Sequence, residues 1–148
     1  MKIKPILILY LIGTIFLLSC QDKKKIVSFE NVLEHSLEYL LSTRNLAKEY
    51  YENPLKIIRP KDFPITSDIV VNHKKSILLP EGTDPFDLME GMDIFKPVPI
   101  VEISNYSQID DKIKIKITLR ATGGYYQITL KGDDDSGYKV INVNEGEI

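Results

Sequence analysis

The sequence has one cysteine in 148 residues, no tryptophan, two histidines and three arginines, and each shortage closes off a class of protein. With Cys20 alone no internal disulfide can staple the fold, so ordinary apolar packing has to hold it. Arg44, Arg59 and Arg120 lie far apart in sequence, and a formal charge of −2 leaves no basic excess. A protein that binds a phosphate backbone needs clustered Lys and Arg, so no nucleic-acid partner is expected. His35 and His73 are isolated, with no second ligand type at metal-binding spacing, so no metal or other cofactor is expected either. The uncharged run from Pro5 to Ser19 stops short of the roughly 20 apolar residues that a spanning helix needs.

That run is nevertheless the most legible stretch of the chain. Lys2 and Lys4 precede it and Gln21-Asp22-Lys23-Lys24-Lys25 follows it, which is the pattern of a basic n-region and an apolar h-region in an export signal. At its end Leu17-Leu18-Ser19-Cys20 resembles the lipobox of bacterial lipoproteins. The resemblance implies that residues 1–19 are a signal peptide and that Cys20 is the lipid-attachment residue and mature N-terminus. Residues 20–28 would then be the acylated Cys and its tether, with the membrane as partner through the lipid. Gln21, rather than Asp, after the Cys implies the outer membrane of a cell envelope, facing the periplasm or the cell surface. Several acyl chains, at about 0.8 kcal/mol per buried methylene, would make such an anchor effectively permanent.

Removal of residues 1–19 leaves 129 residues with 17 basic and 21 acidic side chains, one domain by length, placed at 29–148. Over residues 28–53, Phe29, Val32, Leu33, Leu37, Leu40, Leu41, Ala47 and Tyr50 recur at three-to-four spacing and predict one long helix. Asn31 with Glu34, or Ser28 one turn earlier, can cap its start, and Asn53-Pro54 stops it. Residues 55–59 read as a connector between prolines, and 68–71 with 76–79 as a hairpin around Asn72-His73-Lys74-Lys75. Asp84-Pro85 looks like an N-cap followed by Pro at the first helical position. Residues 97–106 read as extended. Beyond Asp111 strict alternation begins, with Ile113, Ile115, Ile117 and Leu119 on one face and Lys112, Lys114, Lys116, Thr118 and Arg120 on the other. Residues 125–131 and 138–143 return as two further strands of a meander.

Few groups invite chemistry. Asp133-Asp134-Asp135-Ser136-Gly137 puts Gly at loop position 5 where an EF-hand wants it at 6, and it reads as a polar hairpin loop. Gly123-Gly124 precedes a strand and is a turn, not a phosphate cradle. No Ser or Cys stands with a His and a carboxylate in a nucleophile pattern, so catalytic residues are expected to be absent and the chain is read as a non-enzyme. Two groups remain as candidates. Phe86, Met89, Met92 and Phe95 lie in a Pro- and Gly-broken loop over residues 80–97 and suit a partner-binding patch. Tyr125, Tyr126 and Tyr138 gather on the last two strands and could line a pocket.

A long helix followed by irregular middle strands and a meander entered through Ser136-Gly137-Tyr138-Lys139-Val140 is similar to the cystatin-like and NTF2-like α+β cone folds. The resemblance implies one long N-terminal helix packed on a twisted antiparallel sheet. The expectation for function is an envelope-anchored, non-catalytic binding or interaction module with an envelope protein partner. The alternatives are a small-molecule pocket protein of NTF2-like type and an immunity lipoprotein that neutralises a toxin.

Overall fold

A computed structural model describes residues 28–91, 93, 95–133 and 137–148, so the signal and lipid-attachment reading of residues 1–27, Cys20 included, lies outside the described residues. The class is α+β. Helix α1, Phe29–Thr43, starts where the sequence allows, with Ser28 Oγ accepting from Asn31 N at 3.2 Å.

The helix does not continue to Asn53, which corrects the expectation of one long element. It spans fifteen residues, and after a break the chain makes only the short α2, Glu49–Glu52. Ser42 Oγ and Thr43 Oγ1 both donate back to Tyr39 O, at 2.9 and 2.7 Å, a side-chain competition that weakens the last turn. Tyr51 then clamps the break: its hydroxyl donates to Arg44 O at 2.6 Å and accepts from Leu46 N at 3.3 Å. Leu46 and Ala47 still pack on the core, but from a loop, which is why the apolar spacing ran on past the real helix end.

The remaining elements among the described residues are β1 Lys56–Ile58, β2 Val70–Val71, β3 Lys74–Lys75, β4 Ile77–Leu79, α3 Pro85–Met89, β5 Ile100–Ile109, β6 Lys112–Leu119, a 3-10 turn at Arg120–Thr122, β7 Gly124–Asp133 and β8 Gly137–Glu147. Six strands form one sheet in the order β4-β1-β5-β6-β7-β8. The sheet is mixed, not antiparallel throughout: β1 runs parallel to both β4 and β5, whereas β5 to β8 form the expected meander. The supposed connector 55–59 thus supplies an interior strand, too short to show a period. The supposed hairpin is shorter than expected. Asn72 and His73, at φ 50° and 61°, make a two-residue turn between β2 and β3, which pair apart from the main sheet, while Ile77–Leu79 joins that sheet.

Val32, Leu33, Leu37, Leu40 and Leu41 of α1 share one core with Ile113, Ile115, Ile117, Leu119, Ile128 and Leu130, as alternation on β6 and β7 predicts. The carboxylate face of α1 is used as well. Glu30 accepts from Thr66, and Glu34 accepts from Val70 N at 2.6 Å, which ties the irregular middle segment to the helix. Ile58 and Ile100 are buried outside the main cluster, and Phe86 of α3 lies with its ring 6.0 Å from the Arg120 guanidinium carbon.

Candidate functional site

The loop around α3 presents two aromatic side chains to solvent: Phe86 is 66% and Phe95 81% exposed. Both are held in the same way. Phe86 N donates to Asp84 Oδ1 at 2.8 Å and Phe95 N to Asp93 Oδ1 at 2.9 Å, so an aspartate two residues earlier fixes the backbone under each ring. Asp84 also caps α3, with Pro85 at its first position. Met89 is half-buried and does not share their exposure, and Met92 lies outside the described residues. Glu81, Asp84, Asp87, Glu90 and Asp93 are all exposed in the same segment, with no basic residue between Glu81 and Phe95. The segment between the rings is rich in carboxylates, while two cations flank it: the Arg120 guanidinium, paired with Glu102, beside Phe86, and exposed Lys96 next to Phe95. The repeated Asp-x-Phe spacing was present in the sequence as a signal for this presentation.

The three tyrosines are not brought together. Tyr125 and Tyr126 are neighbours on β7 and point to opposite faces. Tyr125 sits under Lys116, whose ammonium is 4.3 Å from the ring centroid, opposite Gly146 on β8. Tyr126 lies on the helix side beside Arg44, which pairs with Glu145 at 2.9 Å. Burial and Glu145 push the Tyr126 phenol up, and Arg44 opposes them. Tyr138 pairs across from Gly132 near the other end of β7, with its ring 6.4 Å from His35. Burial, then the nearby Tyr106, push its phenol up. Tyr106 itself belongs to a cluster with Phe29 and Phe63, with centroids 5.0 and 5.3 Å away. Each tyrosine therefore has its own neighbours, and half-burial against packed groups accounts for all three.

A concavity does exist elsewhere. An open cleft of about 520 Å3 is bounded by α2, the start of β1, Ile77 and the segment 96–99. Its apolar wall is Pro54, Ile77, Pro97, Val98 and Pro99, and its charged groups are Lys48, Glu49, Glu52, Lys56 and Lys96. The backbone holds the wall in place: Lys56 N donates to Pro99 O at 2.9 Å and Ile77 N to Leu55 O at 2.8 Å. Nothing in the sequence signals this site, because the cleft gathers three segments that lie far apart in the chain, 48–56, Ile77 and 96–99.

Among the described residues no group of three or more His, Cys, Asp and Glu is placed to hold a metal, and no helix is long and apolar enough to cross a membrane. No protein-family model, no curated protein and no solved structure matches the chain.

Proposed function

We propose that the protein is an envelope-anchored, non-catalytic interaction module, tethered through lipid on Cys20 and engaging an envelope protein through Phe86 and Phe95. The observation that carries this reading is the paired presentation of those rings, each fixed by an aspartate yet left mostly in water. Exposed aromatic side chains set in a charged rim are the usual anchors of protein interfaces. The surrounding carboxylates suit a partner with a basic surface and would speed encounter with it. An immunity role toward a basic toxin is the special case of the same chemistry. The α1 helix laid over the β5–β8 meander supports the cone-like reading of the domain, while parallel β1 and β4 depart from it.

Two experiments test the two halves. A fatty-acid probe should label the protein in cells and fail to label Cys20→Ser; equal labelling of both ends the lipoprotein reading. A photo-crosslinker at position 95 should trap one defined adduct in intact cells, lost when Phe86→Ser is added with the melting midpoint unchanged. A set of adducts that ignores Phe86→Ser would remove the loop from the interface.

A further inference from the structure

Among the described residues two acids are buried, and Glu49 is unlike the other, Glu30. Glu30 is likewise 7% exposed, but its carboxylate accepts hydrogen bonds from both the backbone and the hydroxyl of Thr66. Glu49, also 7% exposed, lines the cleft, and among the described residues its side chain makes no hydrogen bond or ion pair. Most of the Glu49 residue is packed away, so its unpaired carboxylate is reached from the cleft, where a ligand cation supplies the missing charge. Lys48, Lys56 and Lys96 line the same cleft and, among the described residues, likewise form no ion pair; Lys48 and Lys96 are exposed.

The donor set selects the ligand. Two carboxylates beside three lysines disfavour a divalent cation, which would meet net positive charge. A simple anion would satisfy the lysines but would press against Glu49. A molecule that carries an ammonium at one end and a carboxylate at the other satisfies both. The wall of Pro54, Ile77, Pro97 and Pro99 offers an apolar bed between the two ends, and about 520 Å3 is within the size range of small-molecule sites. We infer that this cleft binds a small zwitterion of the amino-acid or short-peptide class, its ammonium on Glu49 and its carboxylate on Lys48, Lys56 and Lys96. The inference stands apart from the Phe86 and Phe95 surface and does not need it.

The test uses the full chain in detergent micelles and three probes: L-alanyl-L-alanine, its N-acetyl form and its C-terminal amide, followed by amide NMR shifts. The free dipeptide should shift residues of α2, Ile77 and Lys96 to Val98, and each blocked form should bind about ten-fold more weakly, the loss expected for one charge-assisted contact. In Glu49→Gln the penalty for N-acetylation should vanish while the penalty for the amide stays. In Lys48→Gln/Lys96→Gln the reverse should hold. Absence of shifts with all three probes up to about 10 mM, beyond the weak end of specific recognition, would overturn the inference. So would blocked forms that bind as well as the free dipeptide, or an acetyl penalty that survives Glu49→Gln. Should Glu49→Gln fail to fold, the wild-type probe series and the lysine pair, which lies at the surface, decide the matter by the same criteria.

Discussion

Glu30 and Thr66 are thirty-six residues apart, yet the Glu30 carboxylate accepts from Thr66 N and from Thr66 Oγ1, both at 2.8 Å. The contact fastens the irregular segment after β1 to the first turn of α1. Burial alone would raise the Glu30 carboxyl, but the hydrogen bonds from Thr66, joined by the Glu30 and Ser67 backbone, outweigh it and hold it below the ordinary value.

A carboxylate with a depressed folded-state value stabilises the fold above its unfolded value and loses that contribution as pH falls through the folded one. Wild type should therefore melt above Glu30→Gln at neutral pH, by about 1 to 3 kcal/mol in stability. The gap should be full above the ordinary carboxyl range and narrow as pH falls through the lower folded-state value. Thermal melts of both proteins from neutral to acid pH check this, and a gap that widens in acid would contradict it.

Leu37 of α1 and Ile115 of β6 belong to the same cluster and are 1% and 0% exposed. Leu37→Ala or Ile115→Ala should cost about 2 to 5 kcal/mol by chemical denaturation, since each leaves a cavity between helix and sheet. Leu33→Met, which nearly conserves volume, should cost less than about 1.5 kcal/mol in the same assay.

The Tyr51 hydroxyl is the clamp at the break between α1 and α2. Tyr51→Phe keeps the ring and removes both hydrogen bonds, and should cost about 1 to 2 kcal/mol. Amide exchange should speed up at Leu46, the residue whose N–H loses its acceptor, with little change inside α1. Uniform acceleration through α1 would instead mean that the helix, and not the break, depends on Tyr51.

A Cβ at Gly146 would lie 2.7 Å from the ring of Tyr125 on the paired strand. Gly146→Ala should cost about 1 to 2 kcal/mol in wild type, as the ring is forced off its place beneath Lys116. Much of that cost should disappear in Tyr125→Ala. A double-mutant cycle measures the coupling, expected at about 0.5 kcal/mol or more.

What the sequence decides by itself is local. A period of two within 112–119, and again within 125–131, assigns Ile113, Ile115, Ile117 and Leu119, then Ile128 and Leu130, to the inward face of each strand, because pleating admits no other arrangement once one face is buried. Ser28 and Asp84-Pro85 set two helix starts by chemistry contained within a few residues. Tertiary structure decides the rest. The apolar stripe could not announce the end of α1 at Thr43, since Leu46 and Ala47 reach the same core from a loop held by a side chain five residues further on. Residues 56–58 become an interior strand only because β4 and β5 arrive parallel on either side, and three residues carry no period to read. The cleft is the extreme case. Glu49 is an ordinary charged residue in sequence, and only the fold sets it, mostly buried, in one cleft with Pro54, Ile77 and Pro97 to Pro99.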